Sequence, residues 1–168
     1  MLTIGASTAS AQDAAKVGLT LSSGSTIGLH VPLGDRAAIR PTLGFSRTTS
    51  DYIGSSFVEG SITSTVLAPG ASVIFYLKSL DATRLYFSPQ YTYSRLSASN
   101  DDDSPRAGHN GAFMIGAQHG LGSRFGVYAE GGIGWSYSKN IVNTQLTDSS
   151  IKTRSWSTRA TVGGMLFF

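Results

Sequence analysis

The sequence predicts an all-β fold: an eight-stranded antiparallel up-and-down transmembrane β-barrel. Three observations predict it. From Lys16 onward, apolar residues recur at every second position, the period of an extended strand and not of a helix. The connections between these alternating stretches are short and long in turn, as in a meander crossing a membrane. Only 14% of residues are charged, well below the quarter or so usual in soluble domains, so the face opposite the apolar one is small and neutral.

The elements follow in order. A chain of 168 residues supports one domain. Residues 1–11 read as the remnant of a secretory signal peptide or a disordered leader. The triplet Ala9-Ser10-Ala11 ahead of Gln12 has the small-x-small pattern of a cleavage site, and residues 12–168 form the barrel domain. The first strand carries Val17, Leu19 and Leu21 against Gly18 and Thr20, and turns at "SSGS" into a second with Ile27, Leu29, Val31 and Leu33. A tight turn at "LGDR" leads to Ile39, Leu43 and Phe45, backed by Thr42, Gly44 and Ser46. Beyond the polar loop "TTSDYIGSS", Leu67, Ala71, Val73, Phe75 and Leu77 make the fourth strand. "KSLDAT" turns into the fifth, with Leu85, Phe87, Tyr91 and Tyr93 against Ser88, Gln90, Thr92 and Ser94. The long loop "SASNDDDSPRAGHN" precedes Phe113, Ile115 and Ala117, and "GLGSR" precedes Phe125, Val127, Ala129, Ile133, Trp135 and Tyr137. After "NIVNTQLTDSS" the apolar face moves to even numbers: Trp156, Ala160, Val162, Leu166 and Phe168.

The longest clean apolar run, Val73 to Leu77, is far short of the ~18–20 residues of a membrane helix. The same strand pattern could build a soluble lipocalin-like barrel with its apolar face inside. The second face decides between them. A soluble barrel shows water Lys and Glu, whereas here that face is Gly, Ser, Thr and Gln, which suit a narrow lumen. The large side chains would overfill an eight-stranded interior and are expected to point outward. Pro32, Pro41, Pro69 and Pro89 fall within strands, where each removes a ladder donor; β-bulges are the expected accommodation.

Phe168, with Leu166, Val162 and Ala160 alternating behind it, resembles the C-terminal signature of bacterial outer-membrane barrels. With eight strands, the region resembles the small OmpA/OmpX-type barrel domain family over about 150 residues. The resemblance implies location in the bacterial outer membrane and an assembly signal at Phe168, Leu166 and Val162 read by the barrel assembly machinery; the chain is expected to be a monomer inserted without cofactor. It departs from the family in its very short first hairpin, and no peptidoglycan-binding domain is expected after the barrel. Members include structural and adhesion-related proteins, small channels and a few enzymes, so membership does not fix activity. The expected role is non-enzymatic, structural or surface-interacting, with a narrow channel for small solutes as the alternative and a lipid- or peptide-acting enzyme after it.

Two sets of charges carry expectations. Arg47, Arg95, Lys139 and Arg154 share the lipid-facing parity, each two residues from an aromatic at the outer end of its strand. Outward cations cost ~2–4 kcal/mol at mid-membrane and about 0–1 near the interface, so these belong at the outer boundary. There they form a lipid-phosphate contact ring for lipopolysaccharide, guanidinium forks matching phosphate geometry. Arg40, Glu130 and Arg159 take the inward parity and form a luminal charge network, Glu130 pairing with Arg159 on the adjacent strand or Arg40 across the barrel. Lys16, His30 and Arg84 lie nearer the inner mouth. A lumen of eight strands is filled by side chains, so no open pore is expected.

Other motifs exclude more than they suggest. There are no cysteines, hence no disulfide or thiol chemistry. A net charge of +3 without a polybasic block argues against nucleic acid. The acidic run Asn100 to Ser104 lacks calcium-loop spacing, and His30, His109 and His119 are too scattered for zinc. No serine stands in a nucleophile motif, and "GGIG" (Gly131 to Gly134) lies inside a strand, unlike a phosphate loop.

Overall fold

The computed structural model describes residues 16–53, 59–98, 106–144 and 147–168. The expected leader, residues 1–11, and the acidic run Asn100 to Ser104 lie outside the described residues. Eight strands follow one another: β1 (Gly18–Ser22), β2 (Thr26–Pro32), β3 (Ala37–Ile53), β4 (Glu59–Leu80), β5 (Thr83–Ala98), β6 (Arg106–Gly120), β7 (Phe125–Thr144) and β8 (Thr147–Phe167). Each pairs antiparallel with the next, and β1 closes the barrel on β8 through Gly18↔Phe167 to Ser22↔Gly163. Closure removes the sheet's outermost edges along that ladder. The turns at Leu33–Arg36, Asp81–Ala82 and Leu121–Arg124 mark one end, here called inner, together with the last residues of β8.

The period of two sorts the side chains. In β1 to β7 even-numbered residues point into the barrel and odd-numbered ones out, except at the end of β4, where Lys78 stands opposite outward Leu85; in β8 the parity reverses, because Trp135 stands opposite Trp156 in the β7–β8 ladder. The outside is bare hydrocarbon: Phe113 is 73% exposed, Ile115 70% and Trp156 75%. The inside holds the buried polar residues Thr20, His30, Arg40, Ser72, Ser88, Gln118 and Glu130.

The interior differs from the sequence expectation in one respect. Its inner half is not lined by small residues alone but packed with Tyr86, Ile74, Tyr128, Met114, Met165 and Phe167. They fit because their neighbours on the same face are small, such as Ala38, Ser88 and Gly116. At Gly116 a Cβ would lie 2.7 Å from the Tyr86 ring, so the missing side chain makes the room that the ring fills.

The strands also run further outward than the sequence suggests. "TTSDYI" continues β3, and Arg106–Asn110, Asn140–Thr144 and Thr147–Ser150 extend β6, β7 and β8. Thr, Tyr and Ile in the β3 stretch and Ile, Val and Thr in the β7 stretch favour a pleated surface, and Thr49 of β3 pairs across to Thr63 of β4 (Oγ1···Oγ1 3.1 Å).

The prolines are accommodated by interruption, not by the expected bulges. The β2–β3 ladder skips from Gly28↔Thr42 to Val31↔Ile39 around Pro41, and the β4–β5 ladder skips around Pro69 and Pro89, all without a change of register. A proline removes only the bond to one neighbour; Pro69 stays paired to Leu43 and Pro89 to Phe113 on the other side. The one register shift in the β4–β5 ladder falls between Tyr76 and Lys78, where Leu77 is the extra residue.

Candidate functional site

Inside the barrel a charge cluster sits between the packed inner half and a polar outer half. Glu130 on β7 is its centre. Arg40 on β3 donates from Nη1 to Glu130 Oε1 at 2.9 Å, Tyr86 donates its hydroxyl to the same oxygen at 2.8 Å, and Gln90 Nε2 donates to Oε2 at 2.8 Å. The Arg40–Glu130 side chains are 4% and 2% exposed. The Arg40 guanidinium also stacks 4.5 Å from the Tyr128 ring centroid. With both oxygens engaged by three donors, the carboxylate is spent on holding strands β3, β5 and β7 together. It is not a free base.

Arg159 does not join this cluster. It lies on β8 against Gly134, where any Cβ would collide with its guanidinium, and it donates from Nη2 to Asn110 Oδ1 at 3.3 Å. Of the two partners open to Glu130 from the sequence, the one across the barrel is engaged. Tyr86, Gln90 and Tyr128 complete the cluster and escaped the sequence reading. Their inward parity was visible, but the cross-barrel distance was not.

Nearer the inner end a second set closes the lumen. Tyr76 donates its hydroxyl to Gln118 Oε1 at 3.2 Å and lies 3.2 Å from His30 Nε2. Arg84 covers the Tyr76 ring at 4.8 Å, Tyr86 meets that ring edge-on at 6.1 Å, and Phe167 meets His30 edge-on at 6.1 Å. Outside the charge cluster lies a polar cavity of about 130 Å³, lined chiefly by Ser and Thr hydroxyls with Arg40 and Glu130 at its floor.

On the outer surface the cross-strand register stacks aromatic and basic residues in successive rows. Tyr91, Gly111, Trp135 and Trp156 share one row on β5 to β8; Tyr93, His109, Tyr137 and Arg154 share the next; Arg95, Ala107, Lys139 and Lys152 share the third. The rows touch: Tyr91 Oη lies 2.7 Å from His109 Nδ1, His109 meets Tyr93 at 5.4 Å, and Arg154 caps Tyr137 at 6.0 Å. Arg47, Arg95, Lys139 and Arg154 are all exposed. They are unevenly placed, however. Arg95, Lys139 and Arg154 form an arc over β5 to β8, with Arg47 apart on β3 beside Thr65. Lys152 completes the arc; it shares the parity of Arg154 and Trp156, a signal available in the sequence.

At the inner end, Phe168 is 72% exposed and its N–H donates to the Val17 carbonyl at 3.0 Å, while Phe167 N–H donates to the Arg124 carbonyl at 2.7 Å. Val162 is exposed and Leu166 half-buried on the same outer face. His119 faces outward and pairs with Thr83 (Nδ1···Oγ1 2.8 Å). Among the described residues no three His, Cys, Asp or Glu side chains converge on a metal position.

No protein-family model matches the sequence, and neither does any curated protein. Among solved structures the barrel is similar to a major outer membrane protein from Thermus thermophilus, with 10% identity and a TM-score of 0.46 over 91% of this chain and 98% of that one. It is also similar to Ail, the attachment invasion locus protein of Yersinia pestis, in complex with the heparin analogue sucrose octasulfate: 11% identity, TM-score 0.41, 91% and 94% coverage. At such identities the likeness concerns the arrangement of strands alone.

Proposed function

We propose that this chain is an integral β-barrel of the bacterial outer membrane, with a structural or surface-interaction role in the envelope and no catalytic step of its own. The observation that carries this reading is the inverted polarity of the barrel. Large apolar residues on every strand point away from the interior, from Leu21 and Ile27 through Phe45, Leu67, Phe87, Phe113 and Ile133 to Val162. Monomers in water rarely expose contiguous apolar patches beyond a few hundred Å². A belt running around all eight strands calls for hydrocarbon around it, and a closed barrel is one of the two structures that satisfy their backbone there. The Tyr/Trp rows and the cations above them fit the interface region, where aromatic girdles sit.

The arc of Arg95, Lys139, Lys152 and Arg154, with Arg47 apart, supports contact with phosphates of lipopolysaccharide in the outer leaflet. A role as a narrow channel finds less support, since the inner half of the lumen is packed from wall to wall. The test is insertion. The chain refolded into detergent or lipid should migrate on an unboiled gel as a compact band distinct from the boiled one, and should float with vesicles through alkaline carbonate. A chain that stays soluble without detergent would sink the membrane reading. Neutralising the five cations together should weaken retention of lipopolysaccharide on the purified barrel while leaving the compact band intact.

A further inference from the structure

The first hairpin stops short of its neighbours. β1 ends at Ser22 and β2 begins at Thr26, level with Gly163 of β8 and Gly44 of β3. Beyond the bonds of the tip itself, Ser23 with Val162 and Phe45 N–H to the Ser25 carbonyl at 3.4 Å, β8 pairs only with β7, as far as Thr147, and β3 only with β4, as far as Ile53. Among the described residues no ladder joins β3 to β8. The wall therefore has a slot two strands wide, roughly 14 Å from three strand spacings of about 4.8 Å. Inward-parity residues beside it are open: Ser46 and Thr48 on β3 and Ser155 and Ser157 on β8 are exposed, whereas Val66, Leu96 and Ser136, paired at the same levels on the continuous wall, are half-buried.

The slot falls within the apolar belt. Trp156 of the girdle stands seven residues beyond Gly163 on β8, which is about 23 Å of strand at ~3.3 Å per residue. At the hairpin tip Ser23 N–H donates to the Val162 carbonyl at 2.8 Å, and Val162 N–H donates to Ser23 Oγ at 3.3 Å. Backbone groups of one strand residue share a side and alternate, so those of Ala160, Thr158 and Trp156 face the slot with no strand opposite. Unpaired backbone in hydrocarbon costs several kcal/mol per group and is tolerated where it lines a water-filled cavity. A polar hollow lies directly behind the tip, at the inner end of the slot. It is bounded there by Ser22, Ser23 and Thr26, with Thr42, Thr92 and Thr161 as walls.

Its floor holds the Arg40–Glu130 ion pair. Arg40 uses Nη1 on Glu130, but its Nε and Nη2 are buried without a partner. Those two nitrogens are the side-on fork that matches a pair of anionic oxygens. Arg40 and Glu130 offset each other in charge, and Arg159 adds an inward cation on the strand that borders the slot. The lip outside is apolar: Leu21, Ile27, Leu43 and Val162 are all at least half exposed.

We propose that the slot is a lateral portal through which the hollow takes the head of a single-chain anionic amphiphile, of the long-chain carboxylate class, from the outer leaflet. The carboxylate lies among the hydroxyls over Arg40, and the chain leaves across the hairpin tip against Leu21, Ile27 and Val162. This rests on the membrane placement proposed above. The test uses the full chain in phosphatidylcholine vesicles, its insertion first verified by the heat-shifted band. The probe is hexadecanoic acid carrying a photoreactive group near the carboxylate, with its methyl ester as the neutral control and cross-links mapped by mass spectrometry. Labelling by the acid should concentrate on residues 22–26 and 155–161. Arg40→Gln with Glu130→Gln, which removes the guanidinium fork without stranding Glu130 as a buried charge, should weaken it about tenfold, a change of ~1.4 kcal/mol. Thr161→Trp, filling the hollow, should abolish it. Even labelling around the belt, equal labelling by the ester, or indifference to the double variant would overturn the portal. So would cross-links showing a second copy paired along the β8 edge. Failure to insert would instead overturn the membrane placement itself.

Discussion

Glu130 shows how much a single side chain decides in a lumen this narrow. Its carboxylate receives Arg40, Tyr86 and Gln90, so three strands are tied across the barrel at one point. Replacing Glu130 by Ala leaves the Arg40 guanidinium buried opposite nothing, and breaking such a pair costs about 3–5 kcal/mol. Urea unfolding in lipid vesicles should show that loss, and Arg40→Met added to Glu130→Met should recover most of it, because neither charge is then stranded. Gly116 makes the complementary point about volume. A Cβ there meets Tyr86 Cζ at 2.7 Å and the Ala129 carbonyl at 2.8 Å, so Gly116→Ala should cost about 1–3 kcal/mol by overpacking, measured by the same unfolding. The inward position of Arg40, Glu130 and Arg159 was legible from parity alone. Which of them touch was not. That outcome depends on Gly134, whose missing side chain lets Arg159 lie along β7 and reach Asn110 on β6.

At the scale of the strand, depth along one element sets the cost of a charge. On β6 and β7 the outward residues run from Val127 and His119 near the inner turn through Ile115 and Phe113 to His109 and Tyr137. Ile115 is 70% exposed in the middle of the belt. Ile115→Arg should therefore cost about 2–4 kcal/mol in lipid, and Tyr137→Arg, in the row that already holds Arg154, about 0–1. Equal costs at the two positions, measured by reversible unfolding in vesicles, would remove the gradient on which the membrane placement depends. The alternation that defines this gradient was plain in the sequence, down to the parity reversal in β8. The ends of the strands were not, because Thr, Ser and Asn serve loops and exposed ladders alike. "TTSDYI" and Asn140–Thr144 look like loop by composition yet pair as strand. The prolines misled in the same way. Sequence shows a lost donor but not the neighbour that would have accepted from it, and Pro41, Pro69 and Pro89 each lose only one side.

Taken whole, the barrel is two containers end to end, separated by the Arg40–Glu130 pair. The outer is a hollow lined with hydroxyls; the inner is filled by Tyr76, Tyr86, Ile74 and their neighbours, with His30, Gln118 and Arg84 bound among the rings. Eight strands enclose a space that side chains can just fill, so whether such a barrel conducts depends on which residues fill it and how they are held. Here the filling is cross-linked by hydrogen bonds and ring contacts from β2, β4, β5 and β6, so that several side chains would have to move together to open a path. Planar bilayers with the folded protein should accordingly show no stable unitary conductance steps. Tyr76→Ala with Tyr86→Ala removes the two rings that meet edge-on at the centre of this plug and leaves Arg84 and Glu130 lining water. That variant, once its compact unboiled band shows it folded, should gain small conductance steps. Steps of the same size in both proteins would mean that ions pass around the aromatic plug. In that case the lumen would be a channel in its native state, and the packing of the inner half would be no barrier.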